Sequence, residues 1–292
     1  ANNSAIGYQA LRDNTTASNN VAVGSLALTN NTTGAENVAV GLQALEANTT
    51  LGTHTAIGAH TLQSNTSGTN NTALGYNTLG ENTSGEQNVA VGAYSLDANV
   101  TGNHNVAVGY QSLTSNTVSN NTALGHVAMY SNTTGTQNVA VGYAALDANT
   151  TADNNTAIGY ASGRNVESGS NNVFVGMHSG YDITTGSNNV LMGNNAGPKI
   201  TTGNGNTFLG GGAGKYTDSS NYSVFIGCTA GHNSEGDHVI AVGYYAGHGG
   251  GTKTGSIFIG SHAGDEATGA TCTIHIGYKL SLIHISEPTR PY

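Results

Sequence analysis

Apolar residues recur along this chain with a fixed period. A short run such as Asn-Val-Ala-Val-Gly or Asn-Thr-Ala-Ile-Gly returns seventeen times, and fourteen of the sixteen intervals between its glycines are 17 residues long. The glycines that end the runs are Gly7, Gly24, Gly41, Gly58, Gly75, Gly92, Gly109, Gly125, Gly142, Gly159, Gly176, Gly193, Gly210, Gly227, Gly243, Gly260 and Gly277. So short a period is typical of a solenoid, and β-branched residues before each glycine favour strands. The sequence therefore predicts an all-β fold, a β-solenoid of about seventeen coils.

The alternation within each run predicts which strand face is buried. Counted from the coil glycine, position −1 is always Ile, Val, Leu or Met, and position −3 is Val, Thr or Ile in every run except that of Ser4. These two positions share one strand face, which we expect to line the interior. Position −2 then points outward, although it is Ala in the first ten runs and mostly Phe or Leu later.

An outward column of Ala and Phe is an exposed apolar strip, and such strips mark interaction surfaces. We therefore expect position −2 to form the seam of a homo-oligomer. The residues predicted for this oligomer interface are Phe174, Leu191, Phe208, Phe225 and Phe258. The alternative is that the connecting segment of the same chain covers both strand faces.

A second short run follows each glycine and changes character along the chain. It reads Ala-Leu or Ser-Leu in many early coils, and Ser-Gly or Ala-Gly from Ser162 onward. Leucine is lost just where Phe replaces Ala at position −2, so apolar volume moves from one column to another. This predicts coils of Ala-Leu type over residues 1–160 and coils of Ala-Gly type over residues 161–279.

Two polar features of the coils predict structure and binding respectively. Asn stands at position −4 in twelve coils, which predicts a ladder of amide hydrogen bonds between stacked coils. The turn segments of the second half vary more and carry charges such as Lys199, Lys215 and Asp237. Variable turns on a rigid scaffold are where binding specificity usually lies.

Composition excludes several classes of partner. Only 8% of the residues are charged, the net charge is −9, and the seven Lys and Arg form no basic run, so we expect no nucleic-acid partner. No apolar stretch approaches the roughly 20 residues of a membrane span, so we expect no membrane insertion. Cys228 and Cys272 lie almost three coils apart, roughly 13 Å at the strand spacing, which is too far for a disulfide.

The repeat ends before the printed C-terminus. Residues 280–292 depart from it, and the string from Leu282 to Arg290 resembles the translation of a widely used sequencing transposon adapter. We interpret residues 280–292 as a non-native tail and exclude them from the fold. The alternative is a strand-like cap. Because the chain also starts within a coil, we expect it to be a piece of a longer protein.

Candidate chemistry is sparse. The carboxylates are dispersed over turns, and the only adjacent pair is Asp265-Glu266. His232 and His248 could form a metal cluster with Asp237-His238, but stray turn residues are the simpler interpretation. We therefore predict that the chain is not an enzyme and has no catalytic residue, no cofactor and no metal site.

The coils resemble repeats of known surface fibres. Asn37–Gly41 and the related runs resemble the head repeats of trimeric autotransporter adhesins. The 17-residue unit, with Gly75–Leu79 and Asn132–Gly135 as examples, is similar to repeats of phage tail-fibre-like proteins. The resemblance implies an extracellular homotrimeric shaft or head, on a virion or a bacterial surface, that attaches to a surface glycan or receptor.

Three alternatives stay open beside that reading of the repeat. One is a tailspike-like polysaccharide depolymerase, which would need acids facing each other across adjacent coils or chains. The others are an ice-binding solenoid and a filament-forming solenoid that stacks through uncapped coils.

Overall fold

The computed structural model of the chain describes residues 2–265 and 267–280. Within them lie seventeen strands of three residues, each directly before a coil glycine. In chain order they are β1 Ser4–Ile6, β2 Val21–Val23, β3 Val38–Val40, β4 Thr55–Ile57, β5 Thr72–Leu74, β6 Val89–Val91, β7 Val106–Val108, β8 Thr122–Leu124, β9 Val139–Val141, β10 Thr156–Ile158, β11 Val173–Val175, β12 Val190–Met192, β13 Thr207–Leu209, β14 Val224–Ile226, β15 Ile240–Val242, β16 Ile257–Ile259 and β17 Ile274–Ile276. The prediction of an all-β solenoid with a spacing of about 17 residues is confirmed.

The described residues fall into two compact units, unit 1 within Ala1–Ser170 and unit 2 within Asn171–Tyr292. In unit 1 each of β1 to β9 pairs in parallel with the next strand of the chain, and like positions face each other, as Ala39 faces Ala56. In unit 2 the strands β11 to β17 pair in the same way. Each unit is therefore a stack of coils in strict register. The predicted division of the chain into residues 1–160 and 161–279 stays a prediction.

The predicted assignment of the strand faces is wrong. Position −2 points inward: its side chain is 0% exposed in every strand from β2 to β16, whereas positions −3 and −1 are partly or fully exposed. The connecting segment of each coil covers the −2 face, and the −3/−1 face is left uncovered. The aliphatic residues that were expected to form the core therefore lie at the surface.

This correction removes the predicted oligomer seam. Phe174, Leu191, Phe208, Phe225 and Phe258 are all 0% exposed within a single chain. Side chains enclosed in this way have no surface left to offer a second copy. The physical reason is the narrowness of the coil: a three-residue strand sends one side chain inward, and that side chain packs against the second run of its own coil.

The second run completes the core in a different way in each unit. In unit 1, Leu28 and the residues at position +4 of the following coils up to Leu146 are fully buried beside Ala at position −2. In unit 2, position +4 is glycine, and a Cβ added at Gly231 would lie less than 3.0 Å from the ring of Phe225. The phenyl ring occupies the space that the leucine fills elsewhere. The exchange of apolar volume between these two columns is confirmed.

A polar ladder at position −4 joins successive coils. The Oδ1 of Asn88 accepts the backbone N–H of Asn105 at 2.9 Å, and its Nδ2 donates to the carbonyl of Gly102 at 2.8 Å. The ladder thus runs mainly from side chain to backbone. Amide-to-amide bonds occur in a second buried column at position −10, as from Asn82 Nδ2 to Asn65 Oδ1 at 2.8 Å. Both columns satisfy buried backbone groups that no strand reaches.

One histidine replaces asparagine in the first ladder. His54 is 1% exposed, and its Nδ1 accepts the backbone N–H of Asn71 at 3.3 Å. Burial lowers the pKa of His54 to about 4. The ring is therefore neutral in the folded chain at pH values where the unfolded chain already carries a proton on it.

We expect the substitution His54→Asn to reduce the acid sensitivity of unit 1. Because the folded pKa lies below the unfolded value of 6.5, the folded state binds fewer protons between those values, and stability falls as the pH drops from about 6.5 to about 4. The loss is on the order of 3 kcal/mol for a shift of this size. Urea unfolding of both proteins at pH 7 and pH 4.5 measures it, with the surface substitution His126→Asn as control. Equal pH dependence in the wild type and His54→Asn would contradict the prediction.

Candidate interaction surface

The uncovered strand face of unit 1 carries an exposed apolar surface. Eight of its outward aliphatic residues are 36–67% exposed, and we call these eight the aliphatic strip of unit 1. They are Ile6, Val21, Ile57, Leu74, Val89, Val106, Leu124 and Ile158. Unit 2 has an aliphatic strip of its own, formed by Met192, Ile226, Ile240, Ile259, Ile274 and Ile276.

Three properties make the strips unusual. Parallel sheets normally have both faces covered, and here only the inner face is. No strand residue of either unit is Asp, Glu, Lys or Arg. In unit 1, nine steps of about 4.8 Å extend the strip to roughly 43 Å. Contiguous apolar surface of this kind is typical of interaction sites.

An aromatic ladder stands beside the strip of unit 1, just after the coil glycines. Its rings make successive contacts with centroids 5.0–6.2 Å apart. The members are Tyr76, Tyr94, Tyr110, His126, Tyr143 and Tyr160. Most of these tyrosines are strongly exposed, with Tyr160 at 51%. The ladder widens the apolar surface and adds phenol hydroxyls at its edge.

A surface cavity of about 230 Å³ lies on unit 2. It is formed at positions +2, +5 and +6 of three successive coils, which the 17-residue register stacks above one another. Position +5 contributes Tyr181, Pro198 and Lys215, and position +6 contributes Asp182, Lys199 and Tyr216. His178 and Asn195, both at position +2, complete the lining. Sequence reasoning marked Lys199 and Lys215 only as variable turn residues and did not bring them together.

The histidines of the second half do not form the metal cluster that was weighed from the sequence. The rings of His232 and His248 lie 5.1 Å apart, but the Oδ1 of Asp237 accepts the backbone N–H of Asn221 at 2.8 Å, and His238 stacks on Tyr222 instead. Among the residues that the structure describes, no group of three or more His, Cys, Asp or Glu is placed to hold a metal ion.

Asp265 lies between two histidines. Its two oxygens are 3.0 Å from His248 Nδ1 and 2.9 Å from His262 Nδ1. Burial raises the pKa of Asp265, but the hydrogen bonds from the two imidazoles outweigh it and hold that pKa below its usual value. Glu266, the other half of the adjacent acid pair, lies outside the described residues.

A second acidic pair escaped the sequence analysis. Burial raises the pKa of Asp97, and the nearby negative charge of Glu81 raises it further. A hydrogen bond that Asn77 donates to Asp97 lowers this pKa but does not outweigh the other two effects. The two acids are sixteen residues apart and occupy different positions of successive coils, +6 for Glu81 and +5 for Asp97. Only the stacking of the coils brings them together, so no local motif signals the pair.

Lys253 is enclosed in unit 2. It is 0% exposed, and its ammonium donates to the carbonyls of Gly247 at 2.6 Å, His248 at 3.2 Å and Gly249 at 2.5 Å. Burial lowers the pKa of Lys253 to about 8. In this coil both core columns are small, with Ala241 at −2 and Gly247 at +4, so the stem of Lys253 adds the missing buried volume.

No protein-family model matches this chain, and no curated protein matches it. The class of this protein is therefore indicated by its repeat geometry and not by a match to a known family. No helix among residues 2–265 and 267–280 is long and apolar enough to cross a membrane. Both cysteines of the chain, Cys228 and Cys272, are free and exposed, in line with the predicted lack of a disulfide.

Proposed function

We propose that this chain is the repeat shaft or head of an adhesive fibre, assembled from several copies through the aliphatic strips. The observation that carries the proposal is the bare outer face of the parallel strands, because an uncharged aliphatic surface repeated coil after coil is costly to leave in water. The repeat suits self-association, since a second copy offers the same spacing. A homotrimer is the assembly that the resemblance to tail fibres and autotransporter heads favours.

The attachment role follows from the same resemblance and from the composition. A repetitive scaffold with few charges and variable turns displays side chains at fixed spacing, and several parallel copies multiply weak contacts through avidity. The proposed setting is extracellular, on a virion or a bacterial surface, with a surface glycan or receptor as the target. The aliphatic strips bind other copies, and the turns remain exposed for the target.

Light scattering on the whole chain tests the assembly. We expect a mass near three times that of the 29.4 kDa chain. The double substitution Val106→Asp and Leu124→Asp puts two carboxylates into the strip of unit 1, and we expect it to shift the mass to that of a single chain. Like charges brought together in a desolvated interface cost several kcal/mol.

The matched control is Thr134→Asp, which adds a carboxylate to an exposed turn of the same unit. We expect it to keep the wild-type mass. A wild-type chain that stays monomeric at high concentration would contradict assembly through the strips. So would a double variant that assembles as the wild type does.

A further inference from the structure

The cavity of unit 2 concentrates positive charge in an acidic chain. Lys199 and Lys215 both line it, although the chain has only seven Lys and Arg and a net charge of −9. Their ammonium groups lie 5.1 and 5.4 Å from the centre of the Tyr216 ring. Within the part of the chain that the structure describes, neither ammonium is within 4.0 Å of a carboxylate. The lining of this opening thus holds two cations and one carboxylate, that of Asp182, which leaves one positive charge in excess.

The rest of the lining combines apolar surface with hydrogen-bonding groups. Tyr181 and Pro198 contribute a ring face and a rigid pyrrolidine, while Asn195 and Asp182 contribute amide and carboxylate oxygens. A wall of this kind suits a ligand that has one apolar face and hydroxyl groups around its edge. Such mixed lining, mostly apolar with a few placed polar groups, is typical of small-molecule sites.

The size of the cavity limits the ligand. At about 230 Å³ it is smaller than the roughly 300–1,000 Å³ of sites that enclose a whole drug-sized molecule. It therefore accommodates a single six-membered ring, with neighbouring units of a polymer left in solvent. An exposed site for one ring gives weak binding by itself, which suits a repeated display rather than an isolated receptor.

We propose that this cavity binds one ring of an acidic sugar, with the sugar carboxylate at Lys199 and Lys215. The ring packs on Tyr181 and Pro198, and its hydroxyls exchange hydrogen bonds with Asn195 and Asp182. Tyr216 holds both ammonium groups at the opening through cation–π contacts, which lowers the cost of ordering two flexible side chains. A neutral sugar meets the same wall but leaves the two ammonium groups unpaired.

Ligand-observed saturation-transfer NMR on the whole chain tests the proposal, with glucuronate as probe and glucose as its uncharged counterpart. We expect glucuronate to bind more tightly than glucose, and its affinity to fall as salt is added. The double substitution Lys199→Met and Lys215→Met keeps the apolar stems. We expect it to weaken glucuronate binding by roughly 2- to 5-fold for each lysine and to leave glucose unchanged.

The control is Lys279→Met, because the ammonium of Lys279 lies 5.4 Å from the ring of Tyr278, a similar contact outside the cavity. We expect it to bind glucuronate as the wild type does. Equal binding of glucose and glucuronate, or no effect of the double substitution, overturns the proposal. Inorganic sulfate that displaces glucuronate with equal affinity also overturns it, since the site then recognises only charge.

The inference rests on the proposed attachment role for its purpose, but the two fail separately. The NMR titration measures sugar binding to a cavity formed by three coils of one chain, and light scattering measures the mass of the assembly formed through the strips. A monomeric chain that binds glucuronate would contradict the proposed assembly and support the sugar site. A trimer that binds no acidic sugar would support the assembly and contradict the sugar site.

Discussion

The substitution Gly92→Ala is expected to prevent stable folding of the coils around it. Gly92 has a φ of +125°, a conformation that L side chains rarely adopt, and an added Cβ would lie less than 3.0 Å from the carbonyl carbon and oxygen of Gly109. The neighbouring group is backbone in strict register, so it has no rotamer to change. Backbone strain of this type costs about 1–3 kcal/mol before the steric clash is added, and we expect a total of roughly 4 kcal/mol or more.

Circular dichroism during urea and thermal unfolding measures the effect. The matched control is Gly250→Ala, because nothing lies within 4 Å of a Cβ added at Gly250 and its backbone shows no positive φ. We expect this control to unfold within about 0.5 kcal/mol of the wild type. If Gly92→Ala and Gly250→Ala unfolded alike, the coil glycines would not be a conformational requirement of the solenoid.

The period of these glycines is why the fold could be predicted from the sequence. Each coil repeats the same run, so a strand and a corner recognised once are recognised along the whole chain. The Asn column at position −4 was predicted for the same reason, and Asn88 indeed joins coil to coil. The asparagine side chains of this column bond to backbone groups more often than to other asparagine side chains, and the column of asparagines alone does not indicate this.

The alternation of residues could not show which strand face points into the core, since both faces are apolar. Positions −3 and −1 were predicted to line the core because they share one strand face and are almost always aliphatic or β-branched. The space inside the coil decides otherwise, because Ala leaves room for Leu28 and Phe225 needs a glycine at Gly231. The paired exchange of Ala-Leu for Phe-Gly was visible in the sequence. It indicates that positions −2 and +4 share one interior space, and this signal could have oriented the strands.

The candidate sites depend on distances between residues of different coils, and the sequence alone does not give these distances. Lys199 and Lys215 are neighbours because their coils stack, yet they belong to different columns of the repeat. Turn columns vary in residue type, so no motif links members of successive coils there. A table of positions +2, +5 and +6 in register would have shown the cluster of Tyr, Lys and Asp, but not the cavity between them.

The substitution Phe225→Asp is the second change for which we expect a very large effect. Phe225 is 0% exposed, and its ring stacks on that of Phe208 with centroids 4.3 Å apart. Removing a buried Phe costs about 3–5 kcal/mol, and an unpaired carboxylate in the core adds several kcal/mol. Since whole domains are stable by about 5–15 kcal/mol, we expect unit 2 to lose its fold.

The neighbouring residue provides the matched control, because Ile226→Asp places the same charge one position further along the strand. Ile226 is 38% exposed and faces away from the core. We therefore expect the chain with Ile226→Asp to keep its circular dichroism spectrum and, at a protein concentration at which the wild type is also unassembled, to unfold within about 1 kcal/mol of the wild type. The face assignment predicted from alternation alone requires the opposite order. A stable Phe225→Asp protein and an unfolded Ile226→Asp protein would restore that assignment and place the Phe column back at the surface.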